Sequence, residues 1–456
     1  MRFRFAPVEF VLLFMLVSCG EPEDRPRVRS GKPNVILIYT DDQGSVDVNC
    51  YGAKDLITPH MDGLAERGVR FTQMYAPSCF CSPSRAGLMT GRIPVRAGMP
   101  SNGPHMKGEP GMPTEEVTIA EMLKSAGYVT GHVGKWHLGY SPETMPNQQG
   151  FDYSFGHMAG CIDNYSHFFY WRGPNRHDLW RNGQEVWEDG RFFGDLMVEE
   201  CVQFIEQNQN GPFFLYWAIN MPHYPLQGTA KWREVYKEMA APRRMYAEFV
   251  STVDENIGQV LSKVDELDLR DKTLIIFQSD HGHSVEERTF SGGGSAGPFR
   301  GAKGSFFEGG IRVPSIVSMP GTIPEGQVRN QMVTGCDWLP TIAEICRVPL
   351  PNVELDGKSL MDVIASTDVS TPHQQFYWQL SQGPRARWAV REGNWKLLGK
   401  PLDPTDEASL SESDALFLVD LEKDIGERRN VAEDFPEILR QLQGIREEYL
   451  RQWEGD

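Results

Sequence analysis

The chain has 456 residues, 40% of them hydrophobic and 23% charged, with a formal net charge of -17. That length suits one large core with an appendage, in a soluble globular protein of ordinary composition. The acidic balance excludes a nonspecific nucleic-acid binder, and it demands that any site for an anion build its own local positive field.

In chain order, Arg2 and Arg4 precede a short apolar run from Phe10 to Val17, too short to cross a bilayer. Leu16-Val17-Ser18-Cys19 resembles a bacterial lipobox. The resemblance implies a signal peptide over 1–18 and lipidation of Cys19. Residues 19–33, rich in Pro and charge, then read as a flexible tether. The expected location is the periplasm or surface of a bacterium, with the membrane reached by the lipid alone.

Asn34 to Thr40 is a continuous apolar run of strand length, the mark of a buried parallel strand, and it ends in Asp41-Asp42. Thr58-Pro59 opens a short helix stopped near Gly68. Val69 to Tyr75 is a second strand, leading to Cys81. Pro83 and Gly91 bracket a helix beginning at Cys81, and Arg85 lies one turn on, able to swing back over position 81. Thr118 with Glu121 forms a capping box. Tyr128 to Val133 is a third strand, running out through Lys135 and His137. A helix over Asp195–Gln207 precedes a fourth strand, Pro212 to Ile219, which leads to His223. The helix from Arg244 to about Val264 keeps its apolar residues on one face. Thr273 to Ser279 is a fifth strand, ending in Asp280-His281.

This alternation predicts an α/β fold, a large mostly parallel sheet sandwiched by helices. From about Gln375 short strands follow, with a hairpin turn at Gly393-Asn394 and a last amphipathic helix from Pro436. They predict a smaller C-terminal antiparallel sheet plus one helix. The expected domains are 34–370 and 371–456. Parallel sheets bind ligands beyond the carboxyl ends of their strands. The ionisable groups at those ends should therefore meet in one crevice. Asp41, Asp42 and Asp280 there supply hard oxygen ligands, which suit Ca2+, Mg2+ or Mn2+.

The run Cys81-Ser-Pro-Ser-Arg-Ala-Gly-Leu-Met-Thr-Gly-Arg92 resembles the signature of the type I sulfatases, formylglycine-dependent and arylsulfatase-like, in the alkaline phosphatase superfamily. The resemblance covers nearly the whole mature chain. It implies that a maturation enzyme oxidises Cys81 to formylglycine. One hydroxyl of the hydrated aldehyde attacks sulfur, and deprotonation of the other ejects sulfate. It implies one divalent metal, Ca2+ by preference, held by Asp41, Asp42, Asp280, His281 and residue 81. Most members carry Asn where this chain has His281, which leaves the metal open among hard divalent cations. Arg85 would hold the formylglycine hydroxyl, and Lys135 the hydroxyls and sulfate. His137 would take the proton in elimination. His223 would be general acid for the leaving alcohol, and Lys303 would neutralise charge at that end. The expected substrate is a sulfated sugar or polysaccharide. Two rivals stand beside this reading: a phosphonate monoester or phosphodiester hydrolase of the same superfamily, and a non-catalytic lipoprotein that binds sulfated glycan.

Other residues receive plainer readings. His132 and Cys201 are expected in the core, Cys79 in a structural role, and His60 and His283 at turns or the surface. The remaining cysteines show no repeated C-x-x-C, which argues against zinc, and their pairing stays open. Ser291–Gly297 reads as a mobile loop bordering the site. Asp163, Asn164, His167, Trp171, Arg172, Arg176, His177 and Arg181 lie in an aromatic and polar insertion expected to line a sugar-binding mouth.

Overall fold

A computed structural model of the chain describes residues 31–171, 173–406 and 409–453. The expected signal peptide, the lipidation site Cys19, most of the tether and Arg172 lie outside the described residues.

Among the described residues, ten strands form the main sheet. Their order is Gln327–Arg329, Gly68–Phe71, Ser315–Ser318, Thr273–Ser279, Asn34–Thr40, Phe213–Ala218, Val129–Lys135, Tyr153–His157, Trp180–Arg181 and Gln184–Glu185. The run from Thr273–Ser279 to Tyr153–His157 is parallel throughout. The Ser315–Ser318 strand is antiparallel to both of its neighbours, so Gly68–Phe71 points the same way as the parallel block.

Thr273–Ser279, Asn34–Thr40 and Phe213–Ala218, at the centre, are buried at every position because both faces of the sheet are covered. Val35, Leu37 and Tyr39 pack with Phe214, Tyr216 and Ile276 on one side, under the Cys81–Thr90, Ile119–Ser125 and Trp338–Cys346 helices. Ile36, Ile38, Leu215, Trp217 and Phe277 face the Pro59–Glu66, Phe193–Asn208 and Arg243–Glu266 helices on the other. His132 and Cys201 are buried as expected.

One expected strand divides. Residues 69–75 part at Thr72-Gln73: Gly68–Phe71 stays in the main sheet, while Met74–Tyr75 pairs with Val333–Thr334. The break lets the chain turn toward Cys81. Tyr153–His157 and Ser315–Ser318 had no strand assigned from sequence. The first has Ser and Gly inside it and the second is four residues long, so neither carries an apolar run.

The smaller sheet is antiparallel, with strands Gln375–Leu380, Arg387–Glu392, Trp395–Gly399 and Leu416–Asp420 in chain order. Gly393 takes φ 57° in the two-residue turn. One face is covered by the Pro436–Trp453 helix through Leu442 and Ile445. The other packs Phe376, Trp378 and Phe417 against Tyr75, Cys79, Phe306 and Phe307 of the larger unit.

Candidate active site

Two neighbouring strand ends bring the carboxylates together. Thr40 pairs with Ser279, so Asp41-Asp42 and Asp280-His281 leave the sheet side by side. The Asp42 N–H donates to Asp280 Oδ1 at 3.1 Å, and the Asp280 N–H donates to the Thr40 carbonyl at 3.0 Å. Asp42 sits at φ 64°, a left-handed conformation that Asp tolerates better than most residues.

Cys81 opens its helix, with Phe80 extended before it and Gly91 left-handed after it. Ser84 fastens this helix to the strand end: its hydroxyl donates to the Asp280 carbonyl at 2.5 Å. The Cys81 Sγ lies 3.2 Å from His281 Nε2. That nitrogen is 3.4 Å from Asp280 Oδ1 and 3.5 Å from Asp42 Oδ1. Arg85 directs its guanidinium at the carboxylates, 3.1 Å from Asp280 and 3.6 Å from Asp41, and donates to the Lys135 carbonyl at 3.2 Å. Its hydrogen bonds thus go to the Asp280 carboxylate, the Lys135 carbonyl and the Tyr216 hydroxyl.

The remaining groups arrive from other strand ends and loops. Lys135 Nζ pairs with Asp41 Oδ2 at 2.6 Å, and Lys303 Nζ with Asp42 Oδ1 at 2.8 Å. His223 donates from Nδ1 to the Tyr224 carbonyl at 2.9 Å, which turns Nε2 to within 3.8 Å of Asp42. His137, at φ 55°, places Nε2 3.4 Å from His105 Nδ1. At Gly160 a Cβ would stand 2.9 Å from the His137 ring, which would have to shift. The structure therefore gathers Asp41, Asp42, Cys81, Arg85, Lys135, His223, Asp280, His281 and Lys303 in one cluster, with His137 two residues beyond Lys135. All but His223 and Lys303 are at most 2% exposed, and the side chains of those two are 6% and 7% exposed.

The donor set fits a cation. Ligand atoms of Asp41, Cys81, Asp280 and His281 lie within 4.8 Å of one another, as do those of Asp42, Cys81 and His223. Asp41 Oδ1 is buried without a hydrogen-bond partner among the described residues. Three carboxylates face three protein cations, so a divalent ion would leave the pocket net positive. That is the local field an acidic chain needs to receive an anion.

Burial disfavours charge on Asp41, but the Lys135 ammonium and the Arg85 guanidinium outweigh it and hold the carboxyl well below its usual range. Burial pushes Asp42 up to about 6, with Lys303 and His281 opposing. Burial also pushes the Cys81 thiol up to about 12, so at neutral pH it is no thiolate nucleophile. His137 is kept neutral by burial and by Lys135, and His223 by burial and by Lys303. Lys303 stays protonated because Asp42 overrides its burial.

Several expectations are corrected. His283 is buried, not at the surface, and its carbonyl accepts the Lys303 N–H at 2.9 Å. In the glycine-rich 291–297 loop the Ser295 N–H donates to Asp47 Oδ2 at 2.7 Å, and Arg243 donates to the Gly293 carbonyl at 2.8 Å. Within the insertion, Asp163 closes its own turn with Ser166, Asn164 bonds Gln227 and Asn220, and Arg181 pairs with Glu200. His167 and His177 bond an Arg191 carbonyl and Glu185. Trp171 and Arg176 do reach the His137 side: Trp171 packs edge-on against His105 with ring centroids 4.9 Å apart, and Arg176 donates to the His105 carbonyl. His105 was missed from sequence, because it lies in an irregular Gly- and Pro-containing segment without periodicity.

Comparison with known proteins agrees with this geometry. The family profile described as Sulfatase matches residues 33–348, and that of the N-sulphoglucosamine sulphohydrolase C-terminal region matches residues 302–451. Arylsulfatase A of Homo sapiens is 35% identical, over 95% of this chain and 89% of its own. N-acetylgalactosamine-6-sulfatase of Canis lupus familiaris is 32% identical, over 76% of this chain and 68% of its own. The crystal structure of Ps i-CgsB in complex with k-i-k-neocarrahexaose is 31% identical and superposes with a TM-score of 0.81, covering 92% of each chain.

Proposed function

The chain belongs to the sulfatase family, and from that premise we propose that it removes sulfate from a sulfated sugar or polysaccharide, using formylglycine made from Cys81 beside one divalent metal ion, Ca2+ by preference. The observation that carries this reading is the meeting of residue 81, three aspartates and three cations in one buried cluster. The sugar class draws support from relatives whose names specify sulfated sugars, and from Trp171 and Arg176 beside His105.

Asp41, Asp42, Asp280 and His281, with residue 81, would hold the metal, whose charge would polarise the sulfuryl oxygens. A hydrated aldehyde made from Cys81 would supply one hydroxyl to attack sulfur and a second whose deprotonation would expel sulfate. The remaining work belongs to the chain's own side chains. Lys135 and Lys303 offset negative charge on the sulfuryl oxygens. Neutral His137, with Nδ1 unpartnered among the described residues, can accept a proton. His223, with Nε2 3.8 Å from Asp42, would protonate the leaving alcohol, and an incoming sulfate ester would raise its proton affinity by adding negative charge. Water consumed and alcohol and sulfate released balance the reaction.

Mass spectrometry of the residue-81 peptide, from protein made in its own host, tests the nucleophile. Aldehyde there supports the reading, and thiol alone counts against it. Cys81→Ala should abolish sulfate release while leaving the thermal transition in place; persisting turnover would refute the assignment. Turnover of matched aryl sulfate and aryl phosphonate esters should favour the sulfate. Binding of sulfated glycan without release would point to the non-catalytic rival. The lipid anchor rests on Leu16–Cys19 alone. Cys19→Ala should move the protein from the membrane to the soluble fraction.

A further inference from the structure

We propose that His167, His177 and Asp189 form a second metal site, separate from the sulfate-ester site, that takes Zn2+ and clips the insertion together. One ligand atom from each of these residues lies within 4.8 Å of the other two. Both histidines are buried, with His177 at 7% exposure, while Asp189 faces solvent.

The hydrogen bonds select which nitrogens are available. His167 donates from Nε2 to the Arg191 carbonyl at 3.1 Å, and His177 donates from Nδ1 to Glu185 Oε1 at 3.1 Å. The nitrogens left over, His167 Nδ1 and His177 Nε2, are buried without a partner among the described residues. Each ring thus has one N–H anchored on an oxygen and one lone pair to spare. Metal-bound histidines are oriented in that way, by a carboxylate or carbonyl behind the ring.

The plain alternative is a pair of packed histidines, and stacking of His177 on Trp187 at 3.8 Å is consistent with it. It leaves two buried lone pairs close together with nothing to receive, which folded proteins avoid. Two imidazole nitrogens and one carboxylate suit zinc better than calcium or magnesium, with solvent completing the coordination beside exposed Asp189. The three ligands come from the residue before the Phe168–Phe169 strand, from its partner strand Arg176–His177, and from the turn before the Phe193–Asn208 helix. An ion there would fasten the ribbon whose connecting turn carries Trp171.

The full-length protein, stripped with a chelator, should be titrated with Zn2+ alone. The wild-type chain should bind one equivalent more than its His177→Gln variant, and its melting temperature should rise with Zn2+ more than the variant's does. Glu185→Gln, which alters only the group behind the ring, should weaken that equivalent about 10–100-fold. Co2+ in place of Zn2+ should give visible ligand-field bands that His167→Gln removes. If a histidine variant does not fold, Asp189→Asn, at an exposed position, decides: it should weaken Zn2+ binding by about tenfold or more. Equal Zn2+ stoichiometry and affinity in wild type, Asp189→Asn and Glu185→Gln would overturn the proposal.

Discussion

Lys303 illustrates how a single side chain can answer two needs. It neutralises Asp42, whose carboxyl burial would otherwise protonate more strongly, and it stands at the end of the cluster nearest His223. The proposed chemistry asks it to offset charge on the leaving group. Lys303→Met should therefore lower kcat/KM for an aryl sulfate by about 10²–10³-fold, the range for removing one preorganised electrostatic donor. A loss below about tenfold would leave Lys303 only the task of balancing Asp42.

Among the elements, the Pro59–Glu66 helix shows a cap supplied from a distance. Thr58 looks like its N-cap, yet its hydroxyl bonds Asn49 and caps nothing. Asp254, on the Arg243–Glu266 helix, accepts instead from the His60 and Met61 N–H groups at 3.1 and 2.8 Å. Burial, with Asp62 and Glu255 adding to it, pushes Asp254 from 3.8 up to about 7 despite those hydrogen bonds. The native state thus holds this proton at pH values where the unfolded chain has released it. The group's contribution to stability is complete below about pH 4 and is lost as pH rises to about 7. Asp254→Asn removes the titration. Urea titrations from pH 4 to 7 should show wild type losing stability relative to Asp254→Asn as pH rises, by an amount on the order of a few kcal/mol. Parallel pH profiles for the two proteins would contradict the assignment.

At the scale of the whole molecule, the two sheets are joined by a buried charge cluster. Lys396 Nζ lies 2.8 Å from Glu308 and 3.0 Å from Glu427, all fully buried. The Trp378 indole donates to the Ala76 carbonyl at 3.0 Å, in the segment leading to Cys81. The small sheet therefore supports the loop that carries the site. Lys396→Met would take the shared cation from between two buried glutamates, leaving Glu308 only its pair with Arg312, and should cost about 3–5 kcal/mol in denaturant titrations. Ending the chain after residue 370 should expose Tyr75, Phe306 and Phe307 and yield insoluble protein. A soluble, active truncation would show that the small sheet is dispensable.

Much of this architecture was legible in residues alone. The buried central strands, the helix opened by Cys81 and closed by Gly91, and the hairpin at Gly393-Asn394 follow from local rules, because apolar periodicity, proline and glycine act within a few residues of themselves. The convergence of Asp41, Asp42 and Asp280 followed from strand direction, which the α/β pattern constrains. Tertiary structure alone decided what those groups bond. Arg85 turns to carboxylates, Asp254 caps a helix far from it in sequence, and His105 meets His137 from an irregular segment. It also divided the insertion, sending Trp171 toward the site and closing Asp163 into its own turn. Such pairings depend on which surfaces pack together once the chain has folded, and no periodicity in the sequence encodes them.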